Sequence, residues 1–483
     1  MWHKLNQILS LSGEKVSLMA LLDAREKRAA LQRECREKYG QTLLSVTLVA
    51  MGEVKKNRLF DYVFEKSLEN LTALFTQLNL MPTASFIHSL VTGHEAIFVL
   101  PIEAALLKAH TIEIEDSLPI ARLWDMDVID AQGKLWSRTD LGFAPRQCLL
   151  CDEYAKICAR SRQHSVEHIL SAAQRLVAQH LWAEQVGEWA YQALVEEAML
   201  TPKPSLVDSA NSGSHHDMDL STFQASALAL RPFFVKFVEL GMATCDLIES
   251  KLLPVLRPLG QQAEQAMLCA TKGVNTHKGA IFAFGLVCAM VGRWFKQKLE
   301  KHSQSPLNLP CFSLASMAQV CEGVALCTKG ICQEFSDYPT NLPLTAGVRL
   351  FRQYGLKGAR GEAEQGFPLI RKYFPAYFQS TNLPKQAITG EQWQHQRLIL
   401  LLRLISENQD TNVVNRGGLE GLHFMQQQAR WLLQQPQTHH DFSWLTTHLI
   451  TFDHACIEKN LSAGGSADLL ALSIFFSFLI LER

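Results

Sequence analysis

Net charge is almost absent from this sequence of 483 residues: lysine and arginine nearly balance aspartate and glutamate, leaving a formal −1. No global field therefore draws the chain to nucleic acid or an anionic membrane, and a phosphate-bearing ligand has to be held by local groups. A basic segment followed by a continuous apolar run is missing from Met1–Ala20, so this stretch does not read as a signal peptide. Apolar runs of the ~18–20 residues that span a bilayer are missing too. The most apolar stretch, Leu469–Leu481, is shorter, contains Ser473 and Ser477, is closed by Glu482 and Arg483, and reads as a buried terminal helix. Fixed-period repeats, low-complexity tracts and a Pro/Ser-rich linker are also lacking. Together these absences predict a cytoplasmic protein with neither nucleic acid nor membrane as a partner.

Apolar residues make up 47% and charged residues 19%, the balance of a well-buried globular protein. Its length suggests about three domain-sized units at ~150 residues each. Twelve cysteines without a secretory leader favour reduced thiols. Cys148, Cys151 and Cys158, followed by His164 and His168, have ligand types that suit zinc. Only one close cysteine pair is present, however, so the expectation is an ordinary helix from about Asp152 to Ser161 with small thiols on its buried side.

The first ~170 residues mix strand and helix signals. Leu43–Val49, Ala96–Leu100 and Arg122–Ile129 read as strands, and Phe60–Leu78 reads as a helix. Thr111–Glu115 alternates apolar with acidic residues, as a strand does, and Gly133 suggests a hairpin from Arg122–Ile129 to Leu135–Ser137. From about Leu176 the apolar residues recur at three- and four-residue spacing, in Ala183–Met199, Phe223–Phe237, Ala280–Phe295, Gln396–Ile405, Leu419–Leu433 and Leu469–Leu481. The predicted architecture is an α+β domain over residues 1–175 and a larger all-α domain over residues 176–483, with the boundary near Ser171–Leu181.

In Trp124-Asp125-Met126-Asp127-Val128-Ile129 the side chains of a strand alternate between faces, so Asp125 and Asp127 share one. Two neighbouring carboxylates repel unless a cation sits between them, and magnesium bound to a triphosphate is such a cation. A solvated acidic face on an edge strand is the competing reading. Arg138, Arg146, Arg160 and Arg162 follow closely and supply guanidinium for a triphosphate; a surface ion pair is the alternative for each. These residues occur in blocks, Leu123–Val128, Ser137–Gly142, Arg146–Cys151 and Cys158–Ser165, and with Leu22–Glu26 and Arg28 they make residues 15–170 resemble the apo-citrate lyase phosphoribosyl-dephospho-CoA transferases. The resemblance implies a nucleotidyltransferase-type fold and transfer of phosphoribosyl-dephospho-CoA to a serine of the apo acyl carrier subunit of citrate lyase, with release of pyrophosphate. It also implies metal-binding Asp125 and Asp127 and phosphate-binding Arg25, Arg138, Arg146, Arg160 and Arg162. The Gly-Ser or Gly-Gly pair usual in the wider superfamily is absent; Glu113–Asp116 occupies that region.

Three loops rich in glycine and polar residues feed helices in the second half. Thr201-Pro202-Lys203-Pro204 leads to Asn211–Asp219, where His215, Asp217 and Asp219 precede a helix with Ser221-Thr222-Phe223-Gln224 as its capping box. Ala270–Phe282 carries Asn275, Thr276, His277 and Lys278; Ser462–Asp468 carries Gly464, Gly465, Ser466 and Asp468. Backbone N–H groups at such helix starts cradle phosphate, although simple capping explains each loop taken alone. With Gly355–Ala363, Asp410-Thr411-Asn412 and Arg416-Gly417-Gly418, these blocks make residues 185–480 similar to triphosphoribosyl-dephospho-CoA synthase. Ser205 stands where that family usually has Gly, and Ala463 where it usually has Pro.

This second resemblance implies that ATP and 3′-dephospho-CoA are joined with loss of adenine, with Mg2+ or another divalent cation. Asp217 and Asp219 are then the expected metal ligands or base, His215 or His277 the proton donor, and Asp410 and Asp468 further metal ligands. Lys203, Asn275, Thr276, Lys278, Arg360, Gly464, Gly465 and Ser466 are the expected substrate and phosphate contacts. Two rival readings are the equivalent enzyme pair for malonate decarboxylase and a non-catalytic nucleotide- or CoA-binding assembly factor. The Cys148–Cys151 and Arg160–Ser165 blocks favour citrate lyase.

Overall fold

The computed structural model describes residues 2–301, 309–339, 343–381 and 390–481; Glu482 and Arg483 lie outside the described residues. The chain divides into two compact units, one built on Met1–Leu181 and the other on Trp182–Lys301 and Pro310–Arg483.

The first unit contains α1 (Trp2–Ile8), α2 (Leu18–Tyr39), β1 (Thr42–Leu48), α3 (Arg58–Gln77), β2 (Ala84–Leu90), β3 (Gly93–Leu100), α4 (Ala104–Ser117), β4 (Trp124–Ile129), β5 (Leu135–Trp136) and α5 (Ala155–Ser161). Then α6 (Val166–Met199) runs unbroken past Leu181. The strands form one antiparallel sheet in the order β2-β3-β1-β4-β5, with Ser45 opposite Asp127 and Thr47 opposite Asp125. Trp124, Met126 and Val128 are buried on one face, while Asp125 and Asp127 alternate onto the other. Helix α3, capped by Asn57, locks the buried face where Trp124 Nε1 donates to Val63 O at 2.9 Å. Leu31, Cys35 and Tyr39 of α2 cover one end of the opposite face, packing on Leu43, Val99 and Ile129. The predicted strands and the hairpin at Gly133 are present. Thr111–Glu115 is a correction: it lies inside α4, where Thr111, Ile112 and Glu115 are buried. Spacings of three and four residues satisfy a helix as well as the short alternation suggested a strand.

The second unit is helical. It comprises α7 (Leu220–Ala243), α8 (Leu252–Ala270), α9 (Lys278–Lys301), α10 (Leu314–Cys327), α11 (Gln333–Ser336), α12 (Ala346–Tyr354), α13 (Gly358–Glu364), α14 (Pro368–Thr381), α15 (Gly390–Glu407), α16 (Thr411–Gln434), α17 (Phe442–Glu458) and α18 (Gly464–Leu481). Helices α7 and α9 approach backbone to backbone: a Cβ on Gly241 would strike the carbonyl of Ala289, and one on Gly292 that of Val238. α9 and α18 are long and apolar enough to cross a membrane by length and composition alone, yet both are mostly buried within the protein. Ser473 and Ser477, the polar breaks in α18, turn their hydroxyls back onto Leu469 O and Ile474 O.

Candidate active sites

The acidic pair lies exposed on the face that α2 packs against, at the end that Arg28 and Gln32 reach. Register places Glu95 opposite Thr47, which in turn faces Asp125, so three carboxylates share this face. Arg28 from α2 pairs with Glu95 at 3.1 Å, and Gln32 donates to Ser45 at 2.9 Å. Desolvation by the surrounding protein, then the Asp125 charge, raises the Asp127 carboxyl, while Lys108, Arg28 and Lys156 oppose that rise. Behind β4, buried Lys108 donates to Met126 O at 2.8 Å and buried Glu115 accepts from Met126 N at 3.3 Å.

The expected guanidinium cluster is differently deployed. Arg146 donates to Trp124 O at 2.7 Å and pairs with Glu115 at 3.1 Å, so it anchors the start of β4. Arg138 is paired with Asp116. Arg25, Arg160 and Arg162 are exposed. Lys156, absent from the sequence expectation, is the cation of α5 whose charge reaches Asp127.

In the second unit, a cavity of about 490 Å³ gathers all three predicted loops. His215 and Asp217 come from the first loop, Asn275, Thr276, His277 and Lys278 from the second, and Gly464, Gly465 and Asp468 from the third; Lys203 and Asp410 also line it. Where α9 begins, Gly279 lets the Asp468 carboxylate approach the backbone closely; a Cβ there would force that side chain to move. Burial, then the charges of Glu197 and Asp410, raises the Asp468 carboxyl well above the usual range. Asp410 caps α16 and accepts from Asn412 N at 3.0 Å and Ser466 N at 2.8 Å, while Ser466 Oγ lies 3.1 Å away. With Glu197 bound to Lys203 and Asp410 capping α16, Asp217, Asp468 and Glu362 are the other carboxylates lining the cavity.

Other expected residues are placed elsewhere or otherwise engaged. Asp219 is outside the cavity lining; it is the N-cap of α7, and its bonds to Ser221 and Thr222 lower its carboxyl to about 2. The capping box is thus Asp219 with Thr222, two residues earlier than expected. Arg360 is outside the lining as well, paired with Glu334 at 3.2 Å and lying over the Phe335 ring. Lys203 is buried, with its ammonium 2.5 Å from Glu197, and Lys278 pairs with Glu264 at 2.5 Å.

Both histidines are held neutral. Burial, then the Arg416 charge, lowers His215 to about 4. Arginine only donates, so the Arg416 contact to Nδ1 at 3.1 Å places the ring proton on Nε2, which donates to Ser462 Oγ at 3.0 Å. Burial lowers His277 to about 3, and Ser226 holds its Nδ1 at 2.7 Å. Neither ring is an imidazolium donor near neutral pH.

One cavity residue stands apart. Glu362 lines it from α13; burial pushes its carboxyl to about 7 against the Leu369 backbone N–H, and its Oε2 has no hydrogen-bond partner among the described residues. Such a carboxyl is poised to exchange a proton near neutral pH. The Gly355–Ala363 block contains this residue, but a lone glutamate amid glycines carries no signal of burial.

The two residues that depart from the synthase pattern touch. Buried Ser205 has φ 71°, the left-handed region that favours glycine, and its Oγ accepts from Ala463 N at 3.1 Å. Gly would remove that acceptor and Pro would remove that donor. Ser205→Gly should therefore gain about 1 kcal/mol from relaxed backbone strain, yet lose about 1–3 kcal/mol by orphaning the amide. Ala463→Pro should orphan the hydroxyl. Denaturant unfolding of both single variants and the double variant should show the double more stable than the sum predicts, by about 1 kcal/mol; strict additivity contradicts the coupling.

A helical half built around a polar cavity, following an α/β half with a carboxylate-bearing sheet, fits a two-part transferase. Residues 183–482 match the family model of ATP:dephospho-CoA triphosphoribosyl transferase, and residues 16–180 that of apo-citrate lyase phosphoribosyl-dephospho-CoA transferase. The chain is 54% identical over 467 residues to Protein CitXG of Haemophilus influenzae, with 97% of each covered. A 2-(5″-triphosphoribosyl)-3′-dephosphocoenzyme-A synthase of Haemophilus ducreyi is 49% identical over 331 residues, 68% of this chain and 99% of that protein. The chain belongs to the citrate lyase prosthetic-group enzymes, as a bifunctional fusion of the transferase and synthase families.

Proposed function

We propose that residues 176–483 join ATP to 3′-dephospho-CoA with loss of adenine, and that residues 1–175 pass phosphoribosyl-dephospho-CoA to a serine of the apo acyl carrier subunit with loss of pyrophosphate. The observation that carries the first assignment is Glu362 in the second-unit cavity. In this reading its carboxylate takes the proton of the dephospho-CoA ribose 2′-hydroxyl as that oxygen attacks the anomeric carbon of ATP and the C1′–N9 bond breaks, and the resulting carboxylic acid returns the proton to the departing adenine. The start of α18 at Gly464 and the Asn275–Thr276 turn, both on the cavity wall, hold the triphosphate. His277 and His215 act as neutral hydrogen-bonding groups, each oriented by its serine contact.

In the first half, Asp125 and Asp127 fit a divalent cation: their oxygens are hard ligands and their mutual repulsion needs a counter-charge. In the second half Asp468, crowded by the charges of Glu197 and Asp410, is the carboxylate such a cation would neutralise. Magnesium, where bound, would neutralise charge on the polyphosphate. A nucleotidyltransferase-type fold for the first half rests on this carboxylate face. The reading places the enzyme in the cytoplasm, consistent with its free cysteines.

The test is direct. The purified chain incubated with ATP, 3′-dephospho-CoA and apo carrier should release adenine and add the mass of the prosthetic group to the carrier. Adenine release without a carrier mass shift would leave only the second-half assignment standing, and neither signal would end both. Replacing the carrier by that of malonate decarboxylase should give a much smaller yield.

A further inference from the structure

The thiol cluster is outside the chemistry assigned above. The expected helix over Asp152–Ser161 proves shorter, Ala155–Ser161, and only Cys158 lies within it. Cys148 and Cys151 lie on the preceding turn, closed by Cys148 N donating to Glu153 O at 2.6 Å and Ala155 N to Arg146 O at 2.8 Å. The chain then leaves α5 through Arg162 at φ 51° and returns His164 to the same point. This brings one ligand atom from each of Cys148, Cys151, Cys158 and His164 within 4.8 Å of one another. Cys151 Sγ is 3.4 Å from Cys158 Sγ and 3.2 Å from His164 Nε2, which is 3.8 Å from Cys158 Sγ. No two of these thiols are joined as a disulfide.

We propose that Cys148, Cys151, Cys158 and His164 form a structural zinc site. Bonds of ~2.3 Å to sulfur and ~2.0–2.1 Å to nitrogen set the sulfurs of a zinc tetrahedron ~3.8 Å apart and sulfur and nitrogen ~3.6 Å apart. The two sulfur–nitrogen spacings, 3.2 and 3.8 Å, bracket the second value, and the Cys151–Cys158 spacing of 3.4 Å falls about 0.4 Å inside the first. Four protein ligands close the coordination shell, which marks a structural ion rather than a catalytic one. The Leu150 N–H directed at Cys148 Sγ, at 3.5 Å, is the kind of outer contact that orients a thiolate ligand. Arg122 grips the same turn through Gln147 O at 2.7 Å and Cys148 O at 3.2 Å.

The site would tie three short segments into one body. That body includes Arg146, which anchors β4, and α5, which carries Lys156 toward Asp127. Sequence spacing suggested little because the second pair of ligands is one cysteine inside a helix and one histidine beyond it. His168 lies on α6 and is not part of the cluster.

Native mass spectrometry of the full chain, purified under reducing conditions without chelator, should show about one zinc ion per chain. Cobalt substituted for zinc should give thiolate-to-cobalt charge-transfer absorption and the visible bands of a tetrahedral centre. Cys151→Ser and Cys158→Ser should lose the metal, whereas Cys269→Ser and Cys311→Ser, at exposed positions outside the cluster, should retain it. A wild-type chain that keeps neither zinc nor cobalt after desalting overturns the proposal, irrespective of how the variants fold. So does full zinc retention by Cys151→Ser, or a Cys151–Cys158 disulfide in the reduced protein.

Discussion

Glu362→Gln should lower adenine release from ATP and 3′-dephospho-CoA by about 10²–10⁴-fold, the range for losing a positioned acid–base group. The amide keeps the shape of the side chain and cannot take a proton. Because the carboxyl sits at about 7, wild-type adenine release should rise with pH through that region as the base form accumulates. The variant's residual rate should lack this inflection. A second readout separates chemistry from folding. The folded carboxyl holds its proton up to about 7, whereas the unfolded one releases it near the ordinary 4.5. Between those limits the native state binds more protons, so this group's contribution to stability falls as pH rises through the window and then levels off. Glu362→Gln removes that dependence and should be no less stable than wild type at pH 8. Unchanged adenine release, or a loss accompanied by unfolding at every pH, would remove the base assignment.

The periodicity of the second half was legible because each helix buries a continuous stripe, and the polar loops were legible because glycine and capping residues interrupt those stripes. What escaped was burial that the chain assembles from distant segments. Glu362 is an unremarkable glutamate until Phe367, Ala283 and Thr411 wall the same cavity. Glu115 reads as a strand residue until α4 turns it against Arg146 and the backbone of Met126. Asp219 and Asp217 look equivalent two residues apart, yet one is consumed by a helix cap and the other faces the cavity. The arginines show the same limit: composition supplied enough guanidinium for a triphosphate, but Arg138 and Arg146 are committed to carboxylates of α4. The acidic pair was the clearest case because period-2 alternation alone decides which face it shares.

Asp127→Asn should abolish loading of the carrier while leaving adenine release unchanged, since Asp127 belongs to the first unit and the cavity to the second. Charge stabilisation at a transferring phosphoryl group is worth several kcal/mol, so the loss should be at least about 10²-fold, with each 1.36 kcal/mol worth a factor of ten. A structural cause predicts a different pattern. Desolvation and the neighbouring Asp125 raise the Asp127 carboxyl, so ionising it in the folded state costs stability as pH rises past its ordinary range. Removing its charge should therefore leave the melting temperature equal or higher at neutral pH, and a carrier-loading defect in a chain that melts no earlier points to lost phosphate chemistry. Carrier mass, adenine release and melting temperature measured on one preparation distinguish the two causes. If Asp127→Asn loads the carrier at the wild-type rate, the acidic face is a solvated sheet surface and the reacting phosphate must lie elsewhere in the first unit.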